Sequence, residues 1–207
     1  MSFLAAYIYD KVMAETEAAC LQQWRERLLK NVTGNVLEIG SGTGANLPYY
    51  ALDKVSLTLC EPEGAMRKQL ETKISDQKLK GIKVTTDGAE VIHAESNSFD
   101  YVVSTLVCCS VTDLQASLLE IRRVLKPEGK FIFMEHVAAE TGSTRRTWQN
   151  LINPLWKRIA GNCHLNRDTE SAIKQAGFSI SSIEHESMRK AMALVRPTIR
   201  GVAVKNT

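Results

Sequence analysis

The sequence predicts an α/β fold: a doubly wound, seven-stranded sheet, parallel except for one C-terminal antiparallel strand. Three observations predict it. Short apolar or β-branched runs alternate with helical periodicity from about residue 36 to residue 136, and that alternation implies parallel strands joined by right-handed crossovers. The first run, Val36-Leu37-Glu38-Ile39, opens into a loop with glycine at every second position, Gly40-Ser41-Gly42-Thr43-Gly44. The remainder abandons the alternation and ends on two strand-like runs that read as an antiparallel pair.

Composition bounds the rest. A chain of 207 residues is one domain by default, here 1–207. Its 44% apolar and 24% charged residues exclude disorder. A net charge of +3, with Lys and Arg interspersed among Asp and Glu, gives no footprint for nucleic acid. No apolar run reaches membrane-span length, and residues 1–9 lack the basic start and apolar length of a signal peptide. The five cysteines (Cys20, Cys60, Cys108, Cys109, Cys163) are scattered without a C-x-x-C pair. Neither a metal site nor a disulfide framework is expected, and reduced thiols in a cytoplasmic chain are the plain reading.

The elements follow in order. Residues 2–30 read as a helix, with Met13, Cys20, Trp24 and Leu28 near one face and Leu21 beside them. Tyr7, Tyr9 and Asp10 place aromatic and acidic groups at its start, so residues 1–30 are expected to form a helical cap with a lid at its tip. Val32-Thr33-Gly34-Asn35 is a turn into the first strand. A helix N-terminus is expected to follow the glycine loop, with the first crossover helix starting at Asn46–Tyr50 and interrupted by Pro48. Ser56–Cys60 is the second strand, ending at Glu61-Pro62. Ala65–Leu79 is a helix burying Met66, Leu70 and Ile74. Ile82–Thr85 and Phe99–Ser104 are the third and fourth strands. Thr112-x-x-Gln115 reads as a capping box for a helix burying Leu114, Leu118, Ile121 and Leu125. Lys126–Lys130 is a turn, and Phe131–Met134 is the fifth strand, ending at Glu135-His136. Thr144–Gly161 carries Trp148, Leu151, Ile152, Leu155 and Ile159 at helical spacing, and Pro154 should kink or split it. A short helix over 168–176 closes at Gly177. Phe178–Ile183 and Ile199–Val204 are the terminal pair.

The glycine loop admits several readings. Gly40-x-Gly42-x-x-Ala45 formally fits the dinucleotide fingerprint, and a ligand-free turn is the plain alternative. Glu38 argues for a different ligand: a carboxylate two residues before the first glycine suits positive charge and repels phosphate. Glu61, about 20 residues beyond the loop, has the spacing at which an acid accepts hydrogen bonds from both hydroxyls of a ribose. The terminal antiparallel pair also departs from a dinucleotide domain, which would repeat a second βαβ half.

The run Leu37-Glu38-Ile39-Gly40-Ser41-Gly42-Thr43-Gly44 resembles the first motif of class I S-adenosylmethionine-dependent methyltransferases. Glu61-Pro62, Ala89-Glu90 before Phe99-Asp100-Tyr101-Val102-Val103, and Leu125-Lys126-Pro127-Glu128-Gly129-Lys130 carry the resemblance over nearly the whole chain. Gly44-Ala45-Asn46, Thr105–Val111, Phe133–Glu140 and Leu194-Val195-Arg196-Pro197 with Gly201–Lys205 narrow it to the methyltransferase-like proteins that methylate alkyl thiols. The animal members carry an N-terminal membrane anchor, and this chain is expected to be a soluble relative, with peripheral contact at a membrane surface as an alternative.

The resemblance implies a Rossmann-like methyltransferase fold, S-adenosylmethionine as cofactor, S-adenosylhomocysteine as product and a small apolar acceptor, a thiol first. A quinone carbon or a phospholipid amine are the rival acceptors, and a non-catalytic nucleotide-binding module is the rival of a different class. It implies that Glu38, Gly40, Ser41, Gly42, Gly44 and Asn46 hold the methionine end of the cofactor. Glu61 and Pro62 are implied at the ribose, Gly88, Ala89 and Glu90 at the adenine, and Leu106 and Val107 beside the methionine moiety. Gly88 replaces the Asp that similar enzymes often use on the adenine amine, and Asp87 is its candidate substitute. His136 is the candidate base for the acceptor, with structural hydrogen bonding as its plain alternative and Asp10 as a second candidate base. The segment 141–167 is expected to form a helical insertion whose Trp148–Ile159 stripe caps the acceptor pocket. Its flanking Arg145, Arg146, Lys157 and Arg158 would alternatively rest that face on an anionic membrane.

Overall fold

A computed structural model describes residue 11 and residues 13–206 of the chain. Asp10, Tyr7 and Tyr9 lie outside the described residues. The strands are β1 (Gly34–Ile39), β2 (Val55–Cys60), β3 (Ile82–Thr85), β4 (Phe99–Thr105), β5 (Leu125–His136), β6 (Phe178–Ser187) and β7 (Pro197–Lys205). They form one sheet in the order β3-β2-β1-β4-β5-β7-β6. Neighbours from β3 to β5 pair in parallel, and β7 runs antiparallel to both β5 and β6. This is the doubly wound sheet with one reversed strand.

Both faces of the sheet are buried, which is why its strands are apolar on both sides rather than alternating. Leu37, Ile39, Val102, Phe131 and Phe133 pack one way, onto Leu118, Ile121, Ile173 and Phe178. Val36, Val103 and Ile132, one residue out of phase, pack the other way with Leu57, Leu59 and Leu70. The helices are α1 (Gln22–Leu29), α2 (Gly64–Asp76), α3 (Leu114–Val124), α4 (Thr144–Ile159) and α5 (Thr169–Gln175), and all but α4 supply residues to these layers. A π-helical stretch, Glu17–Leu21, leads into α1. Cys20, Leu21 and Trp24 pack from this N-terminal segment onto Met134 and Met188.

Four local expectations are corrected. No α-helix follows the glycine loop: only a 3-10 turn, Leu47–Tyr49, with Pro48 in its first turn, lies between β1 and β2. The cap of α3 is Asp113, not Thr112; its side chain accepts from the Ala116 N–H, so the motif begins one residue later. The Lys126–Lys130 turn is an excursion inside β5: Leu125 pairs with Phe99 and Lys130 with Tyr101, so residues 126–129 loop out of the ladder. Helix α4 continues through Pro154 instead of splitting.

The fifth correction concerns the α4 stripe. Trp148, Leu151, Leu155 and Ile159 are 51–72% exposed rather than covering a pocket. The face that meets the domain is set by Gln149, which is fully buried. Its amide donates to the carbonyls of Leu194 and Val137 and accepts from the Ala139 N–H, and this pins the helix by polar contacts.

Candidate active site

The parallel register brings the ends of β1 and β2 together, with Glu38 opposite Leu59 and Ile39 opposite Cys60. The chain leaves both strands at one edge of the sheet, where ligands of open α/β sheets bind. Two carboxylates stand there. Glu38 is 2% and Glu61 5% exposed. The Tyr50 hydroxyl donates to Glu38 Oε2 at 2.6 Å. Burial pushes the Glu38 pKa up from 4.5 to about 7, against the lowering effects of Tyr50, Arg25 and Asn46. Glu61 accepts from the N–H of Gly42 at 2.7 Å and of Glu63 at 2.8 Å. Its pKa is raised too, by burial first, with those two backbone donors acting against the rise.

The loop between them is built to admit a ligand. Gly42 has φ +57, and the position a Cβ would take has no atom within 4 Å. The left-handed conformation excludes most side chains there, and the space beside it is open. Ser41 closes the base of the turn, its hydroxyl donating to the Glu38 carbonyl and its N–H to the Cys60 carbonyl. Asn46 lies beneath the loop, fully buried; its Oδ1 accepts from Arg25 at 2.6 Å, and its Nδ2 donates to Thr105 Oγ1 at 3.0 Å.

The edge continues onto β4 and β5. Leu106, directly after β4, holds φ +61, an unusual conformation for a branched side chain. Its N–H donates to the Met134 carbonyl. The next N–H, of Val107, donates to Glu135 Oε1 at 3.2 Å, and Ser104 donates to the same oxygen at 2.5 Å. The Val107 side chain lies over Gly40. Glu135 is fully buried, with its pKa raised by burial, and holds the loop after β4 in place.

The expected adenine contacts are only partly brought here. Gly88 and Val91 form a small bridge that turns the chain after β3. Asp87 is engaged by His93, through the backbone N–H at 3.1 Å and the ring at 2.8 Å. The Glu90 carboxylate accepts from the Thr112 and Asp113 N–H groups and anchors the start of α3. Pro62 follows Glu61 and contributes its carbonyl to Arg67.

His136 ends β5, 4% exposed. Its Nε2 stands 2.9 Å from Cys163 Sγ, and its Nδ1 is buried with no hydrogen-bond partner. Cys109 completes a group of three whose ligand atoms lie within 4.8 Å of one another. The hydrogen bond with Cys109 is the largest cause of a raised Cys163 pKa, with burial next.

Several participants left no mark in the sequence. Tyr50 and Arg25 meet Glu38 and Asn46 only through folding. Glu135 was visible as a strand-end acid, but not its grip on Ser104 and Val107. Cys109 and Cys163 carry no metal-ligand spacing.

Two acids flanking open main chain, with no α-helix N-terminus to receive a pyrophosphate, disfavour a dinucleotide and suit a cationic sulfonium donor with a free ribose. On this fold, such a site defines an S-adenosylmethionine-dependent methyltransferase. The family description "Methyltransferase domain" matches residues 37–133. Human thiol S-methyltransferase TMT1A is 34% identical over 200 residues, covering 96% of this chain and 82% of that protein. The ubiquinone/menaquinone biosynthesis C-methyltransferase UbiE of Rickettsia rickettsii is 32% identical over 153 residues, 67% of this chain and 62% of that one. Among solved structures, Haemonchus contortus phosphoethanolamine N-methyltransferase 2, in complex with phosphomonomethylethanolamine and S-adenosylhomocysteine, superposes with a TM-score of 0.72 at 18% identity, over 100% of this chain and 58% of that one. The chain belongs to the thiol S-methyltransferase family, and its cofactor is S-adenosylmethionine.

Proposed function

We propose that the chain methylates a small thiol, with Glu38 and Glu61 as the two anchors of the cofactor. The observation that carries the reading is the pair of buried carboxylates astride the open Gly42 loop. S-adenosylmethionine supplies a methyl group already activated on a sulfonium. The chain's own residues then need to hold the donor, align the acceptor and exclude water, and alignment alone contributes several kcal/mol.

Glu38 with Asn46 is assigned to the methionine end, together with the main chain of Gly40, Ser41, Gly42 and Gly44. Glu61 is assigned to the ribose, where two hydroxyls would take over from the Gly42 and Glu63 donors, and Pro62 sets the turn beside it. Gly88, Ala89 and Glu90 are assigned to the adenine through their main chain, since the Glu90 side chain is committed elsewhere. Leu106 and Val107 flank the methionine moiety. His136 stands at the acceptor end. A thiol with a pKa near 8.5 is already slightly ionised at neutral pH, so only modest help is required there. Asp10 remains a second candidate within the lid proposed for the N-terminal segment, and 141–167 is proposed as the acceptor-side insertion.

The test offers the purified chain labelled cofactor with an alkyl thiol, a demethyl-quinone and phosphatidylethanolamine. Transfer to the thiol is expected; transfer to the quinone or lipid alone would remove the thiol assignment. Calorimetry addresses the cofactor site separately. S-adenosylhomocysteine should bind and NAD should not. Glu61→Ala should weaken binding by about 1.5–3 kcal/mol, as for hydrogen bonds to a charged acceptor. Unchanged affinity would misplace the ribose.

A second reading rests on α4. No helix among the described residues is long and apolar enough to cross a membrane. The exposed Trp148, Leu151, Leu155 and Ile159, with Arg145, Arg146, Lys157 and Arg158, instead suit peripheral contact with an anionic bilayer. Co-sedimentation with anionic vesicles that Leu151→Glu/Leu155→Glu leaves intact would remove this reading.

A further inference from the structure

We propose that Cys109, His136 and Cys163 bind one Zn2+ ion, and that its fourth position takes the acceptor thiol as a thiolate. The inference rests on the thiol reading for its second half only.

The three residues come from three separate places: the loop after β4, the end of β5 and the loop after α4. Their ligand atoms lie within 4.8 Å of one another. Around a tetrahedral Zn2+, bonds of about 2.3 Å to sulfur and 2.0–2.1 Å to nitrogen set donors roughly 3.5–3.8 Å apart. The observed spacings, from 2.9 Å between His136 Nε2 and Cys163 Sγ to no more than 4.8 Å for any pair, bracket that value. Two thiolates and an imidazole without a carboxylate select zinc over magnesium or calcium. Three protein donors with a free fourth position is the arrangement of catalytic rather than structural zinc sites.

The surroundings hold the donors in place. The His164 N–H donates to the Cys109 carbonyl at 2.7 Å, and the Asn162 amide donates to the Ser110 carbonyl at 2.9 Å. Arg167 donates to the carbonyls of Cys108 and Val111, both at 2.6 Å. These bonds lock the loop carrying Cys163 onto the loop carrying Cys109. Cys163 is half-buried where Cys109 and His136 are buried, so the cluster opens on the Cys163 side. Cys109 also lies two residues past Val107, in the loop that flanks the donor's methionine moiety in the proposed site.

The chemistry is direct. An incoming thiol binds the metal and releases its proton to solvent, because a coordinated thiol is deprotonated at neutral pH. Its sulfur then forms a bond to the methyl carbon while the donor's sulfonium–methyl bond breaks. The products are a thioether and S-adenosylhomocysteine. The metal undergoes no redox change.

The test uses the full chain, reduced and stripped with a chelator, and titrated with Co2+. One equivalent should give a near-ultraviolet thiolate-to-cobalt band and the intense visible bands of a tetrahedral site, both abolished by Zn2+. Adding an alkyl thiol should shift the thiolate band. Cys109→Ser/Cys163→Ser should lose the bands while still binding S-adenosylhomocysteine by calorimetry, which shows that the fold survives. Absence of the bands, or bands unchanged in the double variant, would overturn the site. Removing the metal should lower thiol methylation about ten-fold or more and move its pH–rate profile to higher pH, with Zn2+ restoring both. Undiminished methylation without metal would overturn the catalytic role and leave the thiol reading standing. A shifted cobalt band without methylation of any thiol would overturn the thiol reading and leave the metal site standing.

Discussion

Glu38 and Tyr50 illustrate how much one side chain's surroundings alter its chemistry. A carboxyl raised by burial to about 7 is partly protonated at neutral pH in the free chain. A group whose pKa rises on folding stabilises the fold below its unfolded value and loses that contribution as pH rises through the folded value. In the absence of ligand, stability in denaturant should therefore fall between about pH 4.5 and pH 7, by about 1–3 kcal/mol. Glu38→Gln should flatten that slope. A cationic donor acts in the opposite sense, because it favours ionised Glu38. Its affinity should strengthen as pH rises through 7, with proton release in calorimetry below that value. A pH-independent affinity would mean that Glu38 does not face the positive end of the donor.

At the scale of elements, the edge that carries Glu38 and Glu61 is an assembly of strand ends tied together by buried polar groups. Arg25 is the tie from the N-terminal helical segment. It is 4% exposed, paired with Glu17 at 2.7 Å and donating to Asn46 and Thr105. Thus α1, the glycine loop and the end of β4 share one guanidinium. Arg25→Ala leaves Asn46 Oδ1 and the Glu17 carboxylate without that partner, which should cost about 1.5–3 kcal/mol of stability. Because Asn46 sits under the loop, donor affinity should weaken as well, and Arg25→Lys should restore less than half of either loss, since an ammonium lacks the planar fork. Denaturation and calorimetry on the same variants read both effects; a stability loss with unchanged affinity would separate the helix from the site. The missing helix after Gly44 belongs to this scale too. The glycine spacing was legible, but the chain after it leaves helical conformation at Tyr50, which turns inward to Glu38. Periodicity does not report that contact.

At the scale of the whole molecule, the β7–β6 pair completes the sheet beside β5. Gly201 lies between Phe133 of β5 and Ile183 of β6. A Cβ there would stand 2.1 Å from the Ser182 carbonyl oxygen and 2.9 Å from the Phe133 ring. Gly201→Ala should therefore destabilise by about 1–3 kcal/mol through overpacking, each kcal/mol lowering Tm by roughly 2–4 °C in a chain of this length. A thermal melt checks it, and an unshifted Tm would show that the hairpin relaxes freely.

The order of the strands, the reversed last strand, the glycine loop and the two acids were all legible in the sequence. They depend on local quantities: side-chain period, turn residues and the spacing of a carboxylate from a strand end. What the tertiary structure decided depends on contacts between distant segments. It turned the α4 stripe outward, because buried Gln149 anchors that helix by hydrogen bonds, which hydrophobic spacing does not register. It engaged Asp87 with the N–H and ring of His93, and Glu90 with the N–H groups of Thr112 and Asp113. It also set Cys109, His136 and Cys163 side by side. No spacing rule could join them, because their proximity comes from sheet register and from Arg167 fastening one loop to another.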